Sequence, residues 1–106
     1  MLAQKYLRTD FTSQEDFEQH FALNIPEHFH FAYDVVDEYA RTEPDKRAMI
    51  WCDVNGNERV FTFADFSRLS DQAANVFKAQ GLRKGDPVLL MLKRRYQFWV
   101  AALGLL

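Results

Sequence analysis

The sequence has few of the residues that build disulfides, metal sites or phosphate loops. Its 106 residues include one cysteine, Cys52, so an internal disulfide and a cysteine-rich metal site are excluded. Because it lies in a strand-like segment, Cys52 is expected to be a small core residue. The four glycines, at positions 56, 81, 85 and 104, are isolated from one another, which excludes a glycine-rich phosphate loop.

The sequence also lacks a dominant charge and a long apolar run. The formal net charge is -2, which provides no basic field for nucleic acid. The longest uncharged stretch, residues 96–106, is far shorter than the roughly 20 apolar residues that span a bilayer. The polar N-terminus, MLAQKYLRTDFTSQEDF, does not resemble a secretory signal. We therefore expect a cytoplasmic protein with no membrane span and no nucleic-acid partner.

Aromatic residues, in contrast, are abundant. Ten Phe, four Tyr and two Trp accompany 48% hydrophobic and 26% charged residues, a composition typical of globular proteins. Side chains of this size need large neighbouring surfaces to cover them. This many in a small domain indicates that part of the covering surface lies outside these residues.

Residues 1–46 are predicted to be a helical region. The spacing from Thr12 to Glu15 fits a capping box that opens a short helix. A second helix is predicted from apolar residues that recur every three or four positions between Ala32 and Ala40, and it should close before Pro44. The charged face of this second helix is acidic.

Residues 47–106 are predicted to contain a β-hairpin and then a βαβ unit. Asn55-Gly56 separates two short strand-like runs, 47–52 and 59–62, which is a strong hairpin signal. Thr62 is expected to cap a helix that ends at Gly81.

The last part of the chain completes the predicted unit. The apolar run Pro87–Leu92 favours a buried parallel strand, and apolar spacing after it indicates that the next helix has begun. The order strand, helix, strand, helix predicts an α/β fold of which this chain supplies only part. The last helix has no cap or polar end, so we expect it to be unfinished. Gly104 is then expected either to allow close packing or to be a glycine that the helix merely tolerates.

Two groups of residues could carry chemistry, but their surroundings favour plainer roles. A metal site needs more ligands than the histidines offer, and the acidic residues fit the solvated face of a helix. The histidines are His20, His28 and His30, and the acidic residues are Asp34, Asp37 and Glu38.

The cluster Lys93-Arg94-Arg95 is harder to assign. It follows the predicted strand at its carboxyl end, where open α/β sheets bind ligands. Its cations could meet a phosphate or an acidic partner, or they could pair with carboxylates elsewhere in a larger protein. The residues alone leave these alternatives open.

The region from about Phe11 to Leu106 resembles the N-terminal part of AMP-forming acyl-CoA synthetases, in the adenylate-forming superfamily. The likeness is strongest to the short- and medium-chain branch, and it is carried by NIPEHFHFAYDVVDEYA and by residues 45–106. Thr62–Phe66 resembles the first core motif of the superfamily, with Phe66 where Leu is commoner. The turn Gly81–Asp86 also fits the family pattern.

The resemblance implies a two-step ligase. A carboxylic acid and ATP, with magnesium, give an acyl-adenylate and pyrophosphate, and coenzyme A then displaces AMP to form a thioester. In the family, the phosphate loop, the adenine, magnesium and ribose segments and the catalytic lysine come later in the chain. We therefore carry over no catalytic, cofactor-binding or metal-binding residue to positions 1–106.

Two interpretations follow from the resemblance. In the first, residues 1–106 are a partial N-terminal subdomain of the large domain, inactive alone, whose partner is the remainder of the synthetase chain. In the second, they are a stand-alone interaction module without enzymatic activity. Self-association through exposed apolar surface is expected in either case.

Overall fold

The computed structural model describes residues 2–106, which form a mixed α/β structure of four helices and a two-stranded hairpin. A short 3₁₀ turn and a π-helical turn add to these, and no helix in the described part is long and apolar enough to cross a membrane. The elements are α1 (Gln14–His20), α2 (Glu38–Thr42), β1 (Arg47–Cys52), β2 (Glu58–Thr62), α3 (Phe63–Ala79) and α4 (Gln97–Leu105), with the 3₁₀ turn at Leu2–Lys5 and the π-helical turn at Ala32–Asp37.

Helix α1 begins one residue later than the capping signal predicts. The Oγ of Ser13, not of Thr12, accepts a hydrogen bond from the backbone N–H of Asp16 at 3.1 Å. The Asp16 carboxylate accepts in return from the N–H of Thr12 at 3.0 Å and pairs with Arg8 at 3.1 Å. Arg8 and Thr12 both bind the Asp16 carboxylate. Asp16 is therefore the acidic residue of the cap, in place of the predicted Glu15.

The predicted second helix is confirmed, although its first half, Ala32–Asp37, is a π-helical turn. The π-helical turn runs directly into α2, and its Val36 side chain is only 4% exposed. The Oδ1 atom of Asp37 accepts a hydrogen bond from the Ser67 hydroxyl of α3 at 2.7 Å. These contacts fasten the N-terminal region to the rest of the chain.

The predicted antiparallel hairpin is also confirmed, and β2 begins at Glu58. Gly56 has a φ of 81°, a conformation that favours glycine. The Asp53 carboxylate accepts hydrogen bonds from the backbone N–H groups of Asn55 and Asn57, both at 2.9 Å. The connection is thus an aspartate-stabilised loop over residues 53–57, longer than a two-residue turn.

Helix α3 has the cap and the stop that its sequence predicts. Thr62 and Asp65 form a reciprocal capping box. At the other end Gly81 has a φ of 91°, the N–H of Leu82 donates to the carbonyl of Phe77 at 3.2 Å, and the N–H of Gly81 donates to that of Lys78 at 3.0 Å. This pair of bonds is a Schellman motif, which satisfies the last carbonyls of the helix.

The predicted parallel strand over Pro87–Leu92 is not present, so the βαβ unit predicted within residues 47–106 is corrected. The described sheet has two strands only, in the order β1-β2. Leu89 and Met91 are 86% and 82% exposed, and residues 87–92 make no backbone hydrogen bond to the described chain. A strand depends on hydrogen bonds to a neighbouring strand, and β1 and β2 pair only with each other.

The predicted last helix is confirmed as α4, which packs tightly on α3 at Gly104. A Cβ atom placed on Gly104 would lie 2.9 Å from the Cβ of Ala73 and 2.9 Å from the carbonyl oxygen of Ser70. The absence of a side chain therefore lets the two helices approach, which confirms the expectation of close packing.

The core is small for the length of the chain. Val36, Phe61 and Phe66 form its buried centre. The accessible surface is 8501 Å², whereas a compact monomer of 12.5 kDa exposes about 6,200 Å². The radius of gyration is 17.0 Å, against about 13 Å for a compact domain of this length. Much apolar surface is therefore uncovered.

Replacement of Gly104 by valine should separate α3 from α4. The added side chain would overlap backbone as well as side-chain atoms of α3. We therefore expect Gly104→Val to lower the free energy of unfolding by about 1–3 kcal/mol. Urea denaturation followed by circular dichroism measures this. Ala79→Val, which introduces the same side chain at an exposed position of α3, is the control; an equal loss in both variants would contradict the close-packing role of Gly104.

The carboxyl group of Asp16 should titrate at unusually low pH. The hydrogen bond from the Thr12 N–H, aided by the Thr12 hydroxyl, Arg8 and His20, lowers the pKa of Asp16 from 3.8 to about 2. Because the folded pKa lies below the unfolded one, the stabilising contribution is complete above about pH 4 and is lost as pH falls through about 2. An NMR titration should show this low midpoint in the folded chain and an ordinary one in urea; a midpoint near 3.8 in both states would contradict the cap geometry.

Candidate functional site

An open cavity of about 440 Å³ lies between β1 and the segment that precedes α4. We call it the basic groove, because three consecutive cations line it beside two tryptophans. Its lining residues are Met49, Ile50, Trp51, Cys52, Leu92, Lys93, Arg94, Arg95, Phe98 and Trp99. A neighbouring open depression of about 630 Å³ shares Trp51, Cys52 and the same three cations.

The groove exists because side chains of the hairpin hold the start of α4. The indole Nε1–H of Trp51 donates to the backbone carbonyl of Arg94 at 3.0 Å. The Trp51 ring meets Tyr96 edge-to-face, with ring centroids 5.5 Å apart. The guanidinium of Arg59 donates to the Tyr96 hydroxyl at 2.8 Å and lies over the rings of Phe61 and Tyr96. The position of the cations is thus set by the hairpin.

The three groove cations have no acidic partner in the described chain. No carboxylate oxygen of residues 2–106 lies within 4.0 Å of Lys93, Arg94 or Arg95, and their side chains make no hydrogen bond there. Asp53 lines the neighbouring depression, but its carboxylate accepts from Asn55 and Asn57 within its own loop. The hydrogen bond from the Asn57 side chain is the main cause that lowers the pKa of Asp53.

A second cavity, of about 340 Å³, is almost wholly apolar. Met49 and Trp99 line both cavities and so separate them. The lining of this apolar cavity is Phe31, Val35, Val36, Ala48, Met49, Phe63, Phe66, Trp99 and Leu103. It offers packing surface but no reactive group.

The three histidines do not share a common partner. His20 Nδ1 lies 2.8 Å from the Asp16 carboxylate, and His30 Nε2 lies 3.1 Å from the carbonyl oxygen of Leu106. His28 is exposed in the linker. Within residues 2–106 no group of three His, Cys, Asp or Glu residues is placed to hold a metal ion.

The acidic residues of the second helix are also separated by their partners, and they are half-buried rather than fully solvated. Asp34 accepts from the backbone N–H of His30 at 2.7 Å, while Asp37 accepts from Ser67. Glu38 pairs with Arg41 at 2.7 Å, and that hydrogen bond lowers the pKa of Glu38. Each carboxylate thus has a structural role.

The prediction that Cys52 is a core residue is wrong, because its thiol is exposed. Side chains alternate along β1, so Ile50 and Cys52 share a face that no other layer of the described chain covers. The sequence pointed to the three groove cations and to Trp99 as part of an exposed apolar stripe, but it did not place Trp51 or Trp99 beside the cations. The position of Trp51 could have indicated this contact. It lies two residues before the hairpin loop, from where its indole reaches the segment before α4.

Comparisons with known proteins agree on one family. A family model described as AMP-binding enzyme matches residues 36–106. The human protein "Acyl-coenzyme A synthetase ACSM3, mitochondrial" is 37% identical over 98 residues, which cover 87% of this chain. Human "Acyl-coenzyme A synthetase ACSM2B, mitochondrial" is 40% identical over 86 residues, or 76% of this chain, and rat "Acyl-coenzyme A synthetase ACSM5, mitochondrial" is 35% identical over 82 residues, or 72%.

The matched regions are only a small share of these relatives. The chain spans 17% of human ACSM3, 15% of human ACSM2B and 14% of rat ACSM5. The family match over residues 36–106 spans the residues that form the α3 capping box, the α3–α4 contact and the basic groove. Since the family match covers residues 36–106, the chain belongs to the AMP-binding enzyme family and is related to AMP-forming acyl-CoA synthetases.

Proposed function

We propose that this chain is the N-terminal scaffold portion of an ATP-dependent, AMP-forming acyl-CoA synthetase. The whole enzyme would convert a carboxylic acid, ATP and coenzyme A into an acyl-CoA, AMP and pyrophosphate. The observation that carries the proposal is the match of 87% of this chain to 17% of an acyl-CoA synthetase. A segment that matches 17% of an enzyme is expected to form one part of its fold and not the complete enzyme.

A scaffold role is proposed because residues 2–106 do not bring together the groups that the reaction needs. The acidic residues Asp34, Asp37 and Glu38 are each held by a different partner, which leaves no carboxylate pair for magnesium. No glycine-rich loop is available for the phosphates of ATP. We therefore assign no step of the reaction to a residue of this chain, and the prediction of no site residues stays a prediction.

The uncovered surface supports a partner of considerable size. The chain exposes about 2,300 Å² more than a compact monomer of its mass, which is in the range that obligate interfaces bury. We infer that the remainder of the synthetase covers this surface and gives Pro87–Leu92 a strand neighbour. A stand-alone, self-associating module is the alternative, and it would use the same surface.

The location of the protein stays a prediction. The sequence favours the cytoplasm, whereas the relatives reported above are mitochondrial by name. We propose no membrane or nucleic-acid partner.

The chain by itself should not activate carboxylic acids. We expect no ATP–pyrophosphate exchange with acetate, butyrate, hexanoate or benzoate as the acid, because the phosphate loop and catalytic lysine that the resemblance implies come later than residue 106. A full-length acyl-CoA synthetase assayed in parallel is the control. Exchange by the 106-residue chain would show that the chemistry lies within it and would contradict the scaffold role.

The expressed transcript separates the scaffold from the stand-alone module. The scaffold proposal expects the reading frame to continue past the Leu106 codon and to encode a Ser/Thr/Gly-rich phosphate loop about a hundred residues later. A stop codon directly after Leu106 in an expressed transcript would overturn the scaffold and favour the alternative. Sedimentation of the purified chain then measures whether it self-associates.

A further inference from the structure

We propose that the basic groove binds a polyphosphate group, as a site of this chain's own and independent of the proposed function. The nucleotide-binding segments implied by the family resemblance come later in the chain, so this site is not one of them. Three features support this site: the consecutive cations, the cavity beside them and the two tryptophans that line it.

The cations are the first observation. Lys93, Arg94 and Arg95 place three positive charges on consecutive residues, and no carboxylate of residues 2–106 neutralises them. Several other cations of the chain are paired, for example Arg41 with Glu38. Guanidinium groups bind phosphate oxygens in a two-pronged geometry, which makes adjacent arginines suited to a di- or triphosphate.

The geometry of the segment is the second observation. The hydrogen bond from Trp51 to the Arg94 carbonyl holds the backbone between the cations, so the charges are presented from an anchored bend rather than from a loose loop. The bend opens on a cavity of about 440 Å³, within the size range of small-ligand sites. A polyphosphate group therefore has room beside the charges.

The aromatic wall is the third observation. Trp51 and Trp99 both line the groove, and Trp99 is 55% exposed. An exposed indole face can stack on a planar ring. The shared chemistry is the polyphosphate, and it could come from free pyrophosphate or from a nucleoside diphosphate whose ring reaches the indole. A nucleoside diphosphate would use both the charges and this wall. We favour phosphate because one polyphosphate group can accept from all three consecutive cations, whereas a single carboxylate is too small to do so.

Intrinsic fluorescence tests the proposal directly, because Trp51 and Trp99 are the two tryptophans of the sequence and both line the groove. Pyrophosphate, ADP and adenosine are titrated into the 106-residue chain at low salt. We expect pyrophosphate and ADP to change the emission in a saturable, salt-sensitive way, and adenosine not to do so. A lower Kd for ADP than for pyrophosphate would show that the ring contributes; equal values would show that the phosphates suffice. Both results support the site.

Charge-matched variants locate the binding. The double variant Arg94→Gln, Arg95→Gln should raise the Kd at least about tenfold, because each arginine contributes a charge-assisted hydrogen bond. The double variant Arg83→Gln, Lys84→Gln removes the same charge from the turn before Pro87 and should bind like the wild type. Circular dichroism checks that both remain folded, and Lys93→Gln provides a second groove variant.

Three outcomes would overturn the proposal. The first is the absence of saturable binding of either phosphate probe by the wild type. The second is an equal loss of affinity in the groove variant and in the Arg83, Lys84 control, which would reveal a general charge effect. The third is a glutamate-rich peptide that binds as tightly as pyrophosphate, which would reassign the cations to a protein carboxylate partner.

Discussion

The packing of Phe61 is the contact on which the remaining structure depends. Its side chain is 1% exposed and lies between Phe66 of α3 and Tyr96 at the start of α4, with ring centroids 5.4 Å and 5.0 Å away. Phe61 thereby connects the hairpin to both long helices. Burial of a side chain of this size contributes about 1.5–3 kcal/mol, a large share of the stability of a small domain.

The contacts around Phe61 also build the basic groove. Because Tyr96 packs on Phe61 and accepts from Arg59, the residues just before Tyr96 lie beside the hairpin. Trp51 then reaches the Arg94 carbonyl. The apolar core and the charged surface are therefore consequences of the same docking, and a change that loosened the core would also move the cations.

The uncovered surface is the other constraint on this chain. Apolar side chains remain exposed along residues 88–92 and on α4, and the face of β1 that carries Ile50 and Cys52 has no layer over it. Relatives in the AMP-binding family are several times longer than the matched region. The partner surface that we propose would account for both facts and for the many aromatic residues in so short a chain.

Local signals were sufficient for the elements whose ends are set by nearby residues. The cap of α3 by Thr62 and Asp65, its stop at Gly81 and the hairpin at Asn55-Gly56 each depend on hydrogen bonds or backbone angles within a few positions. The start of α1 was misjudged because Arg8, which lies outside the capping pattern, also holds Asp16.

The remaining features depended on contacts between residues far apart in the sequence. Pro87–Leu92 has the composition of a buried strand, but a strand also needs a hydrogen-bonding neighbour, which composition does not reveal. The groove depends on Trp51 and Arg94, which are 43 positions apart. The sequence by itself determined the local caps, turns, helices and family of this protein. The tertiary structure alone decided which apolar runs are covered and where the cations stand, because both follow from long-range packing.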